Sequence, residues 1–292
     1  MSRRWIGLAI GLGLSGSVIS PVGAQSLPTV QLNPQSAEEQ VNAGLRLVQQ
    51  NRLPEAIAAF RQAAALNPNL APAHYNLGLA LRQQGQLQEA ASAFYQATQV
   101  QPGFALAYAN LGAALLEGNN FAQASDYLER AIELDNTLGL AHYNLGLVRQ
   151  RQQNWPEAIA AFQQAQQLSP NAPEPAFHLG EIYLQQGQTA QAQTAFEQAI
   201  AINPNYPEAL YNLGAIRLQQ NDLDGALAAF RRSAQANANY ANAYYGAGLV
   251  FLRQGNMAEA QRVLQFARDL FTQQGNSRWA SSASQLLAGI ER

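Results

Sequence analysis

The chain has 292 residues, and its 17 basic residues, all arginine, face 19 acidic ones, for a formal net charge of −2. The absence of lysine and of any basic run in the body of the chain argues against a nucleic-acid-binding surface, which must neutralise phosphates. With no cysteine, the chain can form no disulfide, thiol catalyst or thiolate metal site. A hydrophobic content of 48% excludes a disordered protein.

The first 24 residues have the layout of a secretory signal. Arg3 and Arg4 precede an apolar run over 5–19, and small residues at 22–24 form a cleavage site of the A-x-A kind. This pattern predicts cleavage after Ala24 and export to the periplasm or another extracytoplasmic compartment. The alternative is a retained N-terminal membrane anchor, although the run is shorter than the roughly 20 residues that a spanning helix needs. Residues 25–36 are expected to be a flexible lead-in.

From Ala37 onward the sequence repeats itself every 34 residues. Three columns of this repeat hold glycine, alanine and a large apolar residue: Gly44, Gly78, Gly112, Gly146, Gly180, Gly214 and Gly248; Ala56, Ala90, Ala124, Ala158, Ala192, Ala226 and Ala260; Phe60, Phe94, Leu128, Phe162, Phe196, Phe230 and Leu264. Seven units fill 37–274 without insertion or deletion: 37–70, 71–104, 105–138, 139–172, 173–206, 207–240 and 241–274. Self-similarity at a fixed period indicates a stacked array.

Each unit is predicted to contain two helices joined by a tight turn. In 71–102, two apolar runs at helical spacing are separated by Gln84-Gly85-Gln86. The turn positions hold residues that suit left-handed backbone, namely Gly85, Gly187, Gly255, Asn51, Asn119 and Asn221. Pro54 and Pro156 fit the first turn of a second helix, and Ser36 with Glu39 forms a capping box before the first helix.

These residues resemble the tetratricopeptide repeat, a helix-turn-helix unit with the pattern W-x2-L-G-x2-Y…A-x3-F…P. The second unit matches it at Leu77, Gly78, Ala90, Phe94, Ala97 and Pro102. The resemblance implies an all-α protein, a right-handed α-solenoid of seven repeats. Residues 275–292 are expected to form a C-terminal capping helix. Its apolar stripe of Trp279, Ala283, Leu286, Leu287 and Ile290 would cover the seventh unit.

A second face of the first helices carries side chains that stacking does not need. In tetratricopeptide proteins this face lines a concave groove that grips partner peptides, and the resemblance implies the same role here. The predicted groove residues are Tyr75, Asn76, Leu79, Asn110, Tyr143, Asn144, Leu147, Arg151, Phe177, His178, Tyr211, Asn212, Tyr245 and Arg253. We expect the aromatic residues among them to be partly exposed, since such residues anchor ligands.

Two interpretations fit the asparagines at 42, 76, 110, 144 and 212. Their amides either tie adjacent helices together or form a ladder that hydrogen-bonds the backbone of an extended peptide. Arg149 and Arg217 also allow two interpretations. They either lie along neighbouring helices with the guanidinium in water or clamp a ligand carboxylate.

The sequence contains no catalytic or cofactor motif that holds in context. The G-x-G-x-x-G pattern at 11–16 lies inside the export signal rather than in a βαβ unit. His74 and His142 are expected to face the core, and Glu117 and Glu181 belong to different units, so they form no catalytic pair. We therefore expect a non-enzymatic protein without cofactor or metal.

The expected function is a protein–protein interaction scaffold that binds an extended peptide or protein segment in the groove. The alternative is a structural assembly factor of an envelope or membrane-associated complex that acts through convex or end surfaces. No nucleic acid is expected as a partner, and membrane contact only if the N-terminal segment stays uncleaved. Family members that bind chaperone tails use groove lysines and arginines, whereas the matching positions here are Tyr75, Leu79, Ala109 and Ala113. No chaperone-tail carboxylate clamp is therefore expected.

Overall fold

The computed structural model describes residues 36–290. This part of the chain folds into fifteen helices and no strand: α1 (Ala37–Gln49), α2 (Leu53–Leu66), α3 (Ala71–Gln83), α4 (Leu87–Val100), α5 (Ala105–Glu117), α6 (Phe121–Leu134), α7 (Gly139–Arg151), α8 (Trp155–Leu168), α9 (Glu174–Gln185), α10 (Thr189–Ile202), α11 (Pro207–Gln219), α12 (Leu223–Ala236), α13 (Ala241–Arg253), α14 (Met257–Gln273) and α15 (Ser277–Ile290). None of these helices is both long and apolar enough to cross a membrane. The predicted export signal and the lead-in up to 35 lie outside the described residues.

The turns between paired helices confirm the predicted left-handed positions. Backbone φ is positive at each of the six predicted residues, for example 59° at Asn51 and 83° at Gly85. The sequence missed Gln153, where φ is 59° in the turn of the fourth unit. A side chain at positive φ is unfavourable by roughly 1–2 kcal/mol, so the packing of the flanking helices must hold this turn in place.

The glycine column and the column of large apolar residues pack against each other inside every unit. A Cβ added to Gly78 would lie 2.7 Å from the ring of Phe94, and one added to Gly214 would lie 2.8 Å from the ring of Phe230. Both phenylalanines are buried. Glycine therefore allows the first helix to approach the ring of the second, and burial of each ring contributes about 1.5–3 kcal/mol.

The first helices of successive units form the inner wall of the solenoid. Helix α1 contacts α3, α3 contacts α5, α5 contacts α7 and α11 contacts α13, whereas the second helices of successive units make no comparable contact within 36–290. Because the first helices are closer together, their shared face is the concave one. We call this face the inner wall.

Helix α9 interrupts the inner wall. It makes at most slight contact with α7 and α11. It is also one residue shorter than the other first helices, and a connector with Pro170 and Pro173 precedes it. Since Pro173 occupies the N-cap position, α9 begins one residue later in its unit than the equivalent helices do. The wall is consequently wider beside α9.

The two ends of the described chain are finished differently. At the start, the Ser36 side chain accepts from the Glu39 amide and the Glu39 carboxylate accepts from the Ser36 amide, which is the predicted capping box. At the other end, α15 packs on α14 and buries Ala283 and Leu287. Trp279 was expected in this buried stripe but is 39% exposed.

Two expectations about polar side chains in the repeats were wrong. His74 and His142 are half-buried, and each ring Nε2 lies near the carbonyl oxygen of the preceding connector, 2.8 Å from that of Pro68 and 3.1 Å from that of Asn136. Their role is to fix the connector, because a buried apolar position would leave the ring nitrogens unsatisfied. Arg149 does not extend into water either.

Arg149 instead joins two second helices. Its side chain is 18% exposed, and its guanidinium forms ion pairs with Glu129 of α6 and, at 2.7 Å, with Glu157 of α8. Arg217 donates a longer hydrogen bond of 3.4 Å to the Gly225 carbonyl oxygen. Both arginines therefore have partners within the chain.

Candidate functional site

The predicted groove residues differ in their exposure. Nine are half-buried: Tyr75, Asn76, Leu79, Tyr143, Leu147, His178, Tyr211, Asn212 and Tyr245. Arg151 and Arg253 are exposed, whereas Asn110, Asn144 and Phe177 are buried. Phe177 was expected to be partly exposed, but only 8% of it is accessible.

The aromatic rings of the inner wall pack between consecutive units. Tyr75 lies 5.8 Å from Phe94 of its own unit and 4.9 Å from Phe104, which caps the next first helix. Tyr211 lies in the same way between Phe230 and Tyr240, at 5.7 and 5.8 Å. Each ring thus stabilises a junction between units and leaves one edge on the wall.

Three aromatic residues that pack on the inner wall were not predicted from the sequence: Phe104, Tyr206 and Tyr240. Each is the last residue of its unit. The recurrence of an aromatic residue at this position, at multiples of 34 residues, could have indicated that it packs there. Phe177 is buried since Phe196 and Tyr206 cover it at 5.8 and 5.0 Å. At the end of the wall, Trp279 of α15 lies 5.4 Å from Tyr245 and adds one more ring.

The asparagine column serves different purposes at different units. Asn110 is saturated: its Nδ2 donates to the Leu106 carbonyl at 2.9 Å and to the Tyr75 hydroxyl at 3.2 Å, and its Oδ1 accepts from Arg82 at 3.3 Å. The Asn76 amide donates to the Pro72 carbonyl at 2.8 Å. Asn110 therefore ties α5 to α3, whereas the Asn76 bond stays within α3.

Asn144 is the exception in this column. It is only 5% exposed, and its Nδ2 has no hydrogen-bond partner within the described chain. One difference lies one unit earlier, where Ala109 and Leu116 stand at the positions that Tyr75 and Arg82 occupy before Asn110. Neither alanine nor leucine can accept or donate a hydrogen bond, so Asn144 lacks the two partners that Asn110 finds in the preceding unit.

An open cleft lies in the inner wall between α7 and α9, where these helices are spaced apart. Its volume is about 460 Å³, and its lining consists of Leu147, Gln150, Arg151, Gln153, Trp155, Phe177, His178, Glu181 and Gln185. Four predicted groove residues meet here: Leu147, Arg151, Phe177 and His178. The structure does not bring Tyr75, Leu79, Tyr245 or Arg253 to this cleft; they line other units. Gln153 and Trp155 were missed, since the turn and the second helix contribute part of the lining.

A chain of hydrogen bonds crosses the cleft wall from unit four to unit five. The Tyr143 hydroxyl lies 3.2 Å from His178 Nε2, and His178 Nδ1 lies 2.9 Å from Glu181 Oε2. A neutral His178 with its proton on Nδ1 donates to Glu181 and accepts from Tyr143. Burial, together with the charges of Glu174 and Glu181, raises the pKa of Tyr143, so its phenol stays protonated at neutral pH.

The tyrosines around α9 and α11 have raised pKa values. Burial raises the pKa of Tyr240 to about 12, and the carboxylates of Glu208 and Glu181 add to the increase. The pKa of Tyr206 is raised by burial and by the charges of Glu174 and Glu208. Because the same carboxylates act on both phenols, their charges converge on this part of the wall.

The arginines of the inner wall are mostly engaged inside the chain. Arg82 forms an ion pair with Glu117 at 2.5 Å, which neutralises the wall near α3 and α5. Arg253 donates to the Leu218 carbonyl at the C-terminal end of α11, at 2.8 Å. Arg151 at the rim of the cleft is exposed.

The described residues thus form a solenoid of paired helices with a polar and aromatic inner wall, the architecture of a helical repeat protein. Tetratricopeptide repeat models match residues 44–85, 71–104, 105–138, 136–205, 177–242 and 218–274. The chain belongs to the tetratricopeptide repeat family. Such repeats generally mediate the binding of protein partners, which places the chain among protein–protein interaction scaffolds.

Several solved structures share the fold. A chain of the APC/C hetero-tetramer Cut9–Hcn1 is 21% identical with a TM-score of 0.64; the match covers 76% of this chain but only 44% of that one. A tetratricopeptide repeat protein from Parabacteroides merdae ATCC 43184 is 18% identical, with a TM-score of 0.64 and coverage of 86% and 99%. YrrB, described as a TPR protein with an unusual peptide-binding site, is 26% identical, with a TM-score of 0.54 and coverage of 67% and 99%. No curated protein matches the chain.

Proposed function

We propose that this protein is a non-enzymatic scaffold outside the cytoplasm that binds an extended segment of a partner protein along its inner wall. The observation that carries the proposal is the cleft between α7 and α9. There the first helices separate, and apolar side chains such as Leu147 lie beside hydrogen-bonding ones such as Gln150 and Gln185. Apolar surface with a few convergent polar groups is typical of binding sites.

The size of the cleft favours an extended segment over a folded domain. A volume of about 460 Å³ is in the range of clefts that hold small ligands and is far below the volume of a folded domain. The aromatic edges along the wall supply further contact area on either side. YrrB, which resembles this chain at 26% identity, is described as having an unusual peptide-binding site, and this supports a peptide as the ligand class.

A photo-crosslinking experiment tests the proposal. The photoreactive amino acid benzoylphenylalanine replaces Gln150 in the cleft or, as a control, the exposed Gln198 of α10. After irradiation in an envelope extract, we expect the position-150 protein to crosslink to one partner, and the crosslinked peptides to form one contiguous segment of it. Tyr211→Ala should reduce this yield.

Crosslinks at position 198 alone would contradict binding at the inner wall. They would favour the alternative, an assembly factor that uses its convex or end surfaces. A signal spread over many unrelated partners at both positions would contradict specific binding altogether. Comparison of periplasmic and membrane fractions in the same experiment tests the proposed location.

A further inference from the structure

Unit five, over 173–206, is packed less extensively than the rest of the array within 36–290. Helix α9 has a smaller contact with α10 than the first helices of the other six units have with their partners. The contacts of α8 with α9 and of α10 with α11 are also the smallest between a second helix and the first helix that follows it. Unit five is therefore joined to both neighbours by smaller interfaces than the other units are.

The inner wall adds little to these two interfaces. Consecutive first helices contact each other at every other junction, whereas α9 makes at most slight contact with α7 and with α11. In a repeat array each unit contacts only its neighbours, so the stiffness of the whole depends on each interface in turn. Motion in a folded protein is concentrated where few side chains are packed together. The array is therefore expected to bend at unit five before it bends elsewhere.

The space that such a bend needs is present as the cleft between α7 and α9. Its volume is about 460 Å³, and its lining includes the exposed side chains of Gln153 and Gln185. A closely packed interior resists the rotation of helices, because every side chain there has neighbours in contact with it. A rotation of α9 towards α7 would instead narrow an open space.

His178 forms a contact that holds unit five against unit four. Its ring stacks on Phe162 of α8 at a centroid distance of 5.3 Å and an interplanar angle of 13°, and its Nε2 lies 3.2 Å from the Tyr143 hydroxyl of α7. The Glu181 carboxylate fixes the ring from the other side, with Oε2 at 2.9 Å from Nδ1. In five other units this position holds an asparagine, which has no ring to stack. His178 thus supplies both an aromatic and a hydrogen-bonding contact across the small interface.

We propose that unit five is a hinge: units one to four and units six and seven change their relative orientation about it, and the His178 contact favours the orientation seen in the structure. The hinge adjusts the width of the cleft between α7 and α9. It goes beyond the proposed function, because the motion needs no partner and takes place in the free protein.

Three equivalent glutamines allow the hinge to be tested with matched pairs of labels. Gln99 of α4, Gln167 of α8 and Gln235 of α12 are exposed and follow one another at intervals of 68 residues. The chain has no cysteine, so cysteines introduced at two of these positions are the only sites for nitroxide labels in the full chain. The pair Gln99/Gln167 spans unit three, and the pair Gln167/Gln235 spans unit five. Pulsed electron paramagnetic resonance measures the distribution of distances within each pair.

The distance distribution of the pair Gln167/Gln235 should be about twice as wide as that of the pair Gln99/Gln167, because only the former has the hinge inside its span. His178→Ala should widen the distribution across unit five further and leave the one across unit three unchanged. The matched control is His142→Ala, which removes a ring whose Nε2 lies 3.1 Å from the Asn136 carbonyl oxygen. That junction keeps the contact between α5 and α7, so the control should widen neither distribution.

Equal widths for the two pairs, whether both narrow or both broad, would overturn the hinge. The role of His178 would be overturned if His178→Ala left the distribution across unit five unchanged, or if His142→Ala widened it as much. These results are separate from the proposed function. A hinge in the free protein stands even if crosslinking at position 150 finds no partner, and a rigid unit five would leave the inner wall as the proposed binding site. Melting curves followed by circular dichroism establish that each labelled variant is folded.

Discussion

Asn110 and Asn144 provide a matched pair for testing how much hydrogen bonds within the chain stabilise the wall. Both are buried asparagines at the same position of adjacent units. Asn110 makes three hydrogen bonds within the chain, whereas the amide nitrogen of Asn144 has no partner. Replacement of either by alanine removes the same atoms, so the two variants differ mainly in the hydrogen bonds that are lost.

The expected loss of stability follows from the number of hydrogen bonds that each substitution removes. A hydrogen bond contributes about 0.5–1.5 kcal/mol net, so Asn110→Ala should lower the free energy of unfolding by about 2–3 kcal/mol. Part of this loss arises because the Tyr75 hydroxyl loses its donor. Asn144→Ala should lower the free energy of unfolding by about 0–1 kcal/mol, since the substitution also removes an unsatisfied donor. The variants should therefore differ by about 2 kcal/mol.

Urea denaturation followed by circular dichroism measures this difference. The two sites lie in neighbouring units, so the same interface between repeats contributes to the unfolding of both variants. Because the Asn144 amide nitrogen is closed to solvent, Asn144→Ala should affect partner binding only through stability, as Asn110→Ala should. Equal destabilisation of the two variants would refute the reasoning that the residues of the preceding unit decide the role of each asparagine.

Three further predictions follow from the same contacts. Tyr211→Ala should weaken partner binding by roughly 2–4 kcal/mol and also lower stability, since its ring packs on Phe230, whereas Tyr211→Phe should keep most of both; calorimetry and melting curves measure the two effects. Gly78→Ala should cost about 1–3 kcal/mol in urea denaturation because its Cβ meets the Phe94 ring, and Gly103→Ala, with nothing within 4 Å, should be neutral; equal effects would contradict this packing. Because Tyr240 has a raised pKa of about 12, the unfolded chain releases this proton first, so stability should fall as pH rises from about 10 to about 12, and less steeply in Tyr240→Phe, as pH-dependent denaturation would show.

The fold could be predicted because its determinants repeat within each unit. Gly78 faces Phe94, and the same pair recurs at a fixed spacing, so the sequence shows the contact several times. The turn at Gln153 was missed for the opposite reason. Glutamine has no preference for positive φ. The turn forms because the helices before and after it occupy the same positions in their unit as the equivalent helices do in the other units.

The cleft could be predicted only in part, because it depends on distances between units. Leu147, Arg151, Phe177 and His178 were placed on the correct face by helical spacing. The separation of α7 from α9 was not predictable from that spacing. It accompanies the shorter α9 and its proline-containing connector.

The role of each asparagine depends on residues that precede it by about one repeat. Asn110 follows a unit with Tyr75 and Arg82, and its amide is fully engaged; Asn144 follows a unit with Ala109 and Leu116, and its Nδ2 is left unpartnered. A comparison of the repeats position by position treats both asparagines alike. When each is read with the preceding unit, the wall near α3 and α5 satisfies its own polar groups, and the wall near α7 and α9 does not. The polar contacts of the wall can therefore differ between units, since two residues of one unit, Ala109 and Leu116, remove the partners of an asparagine in the next.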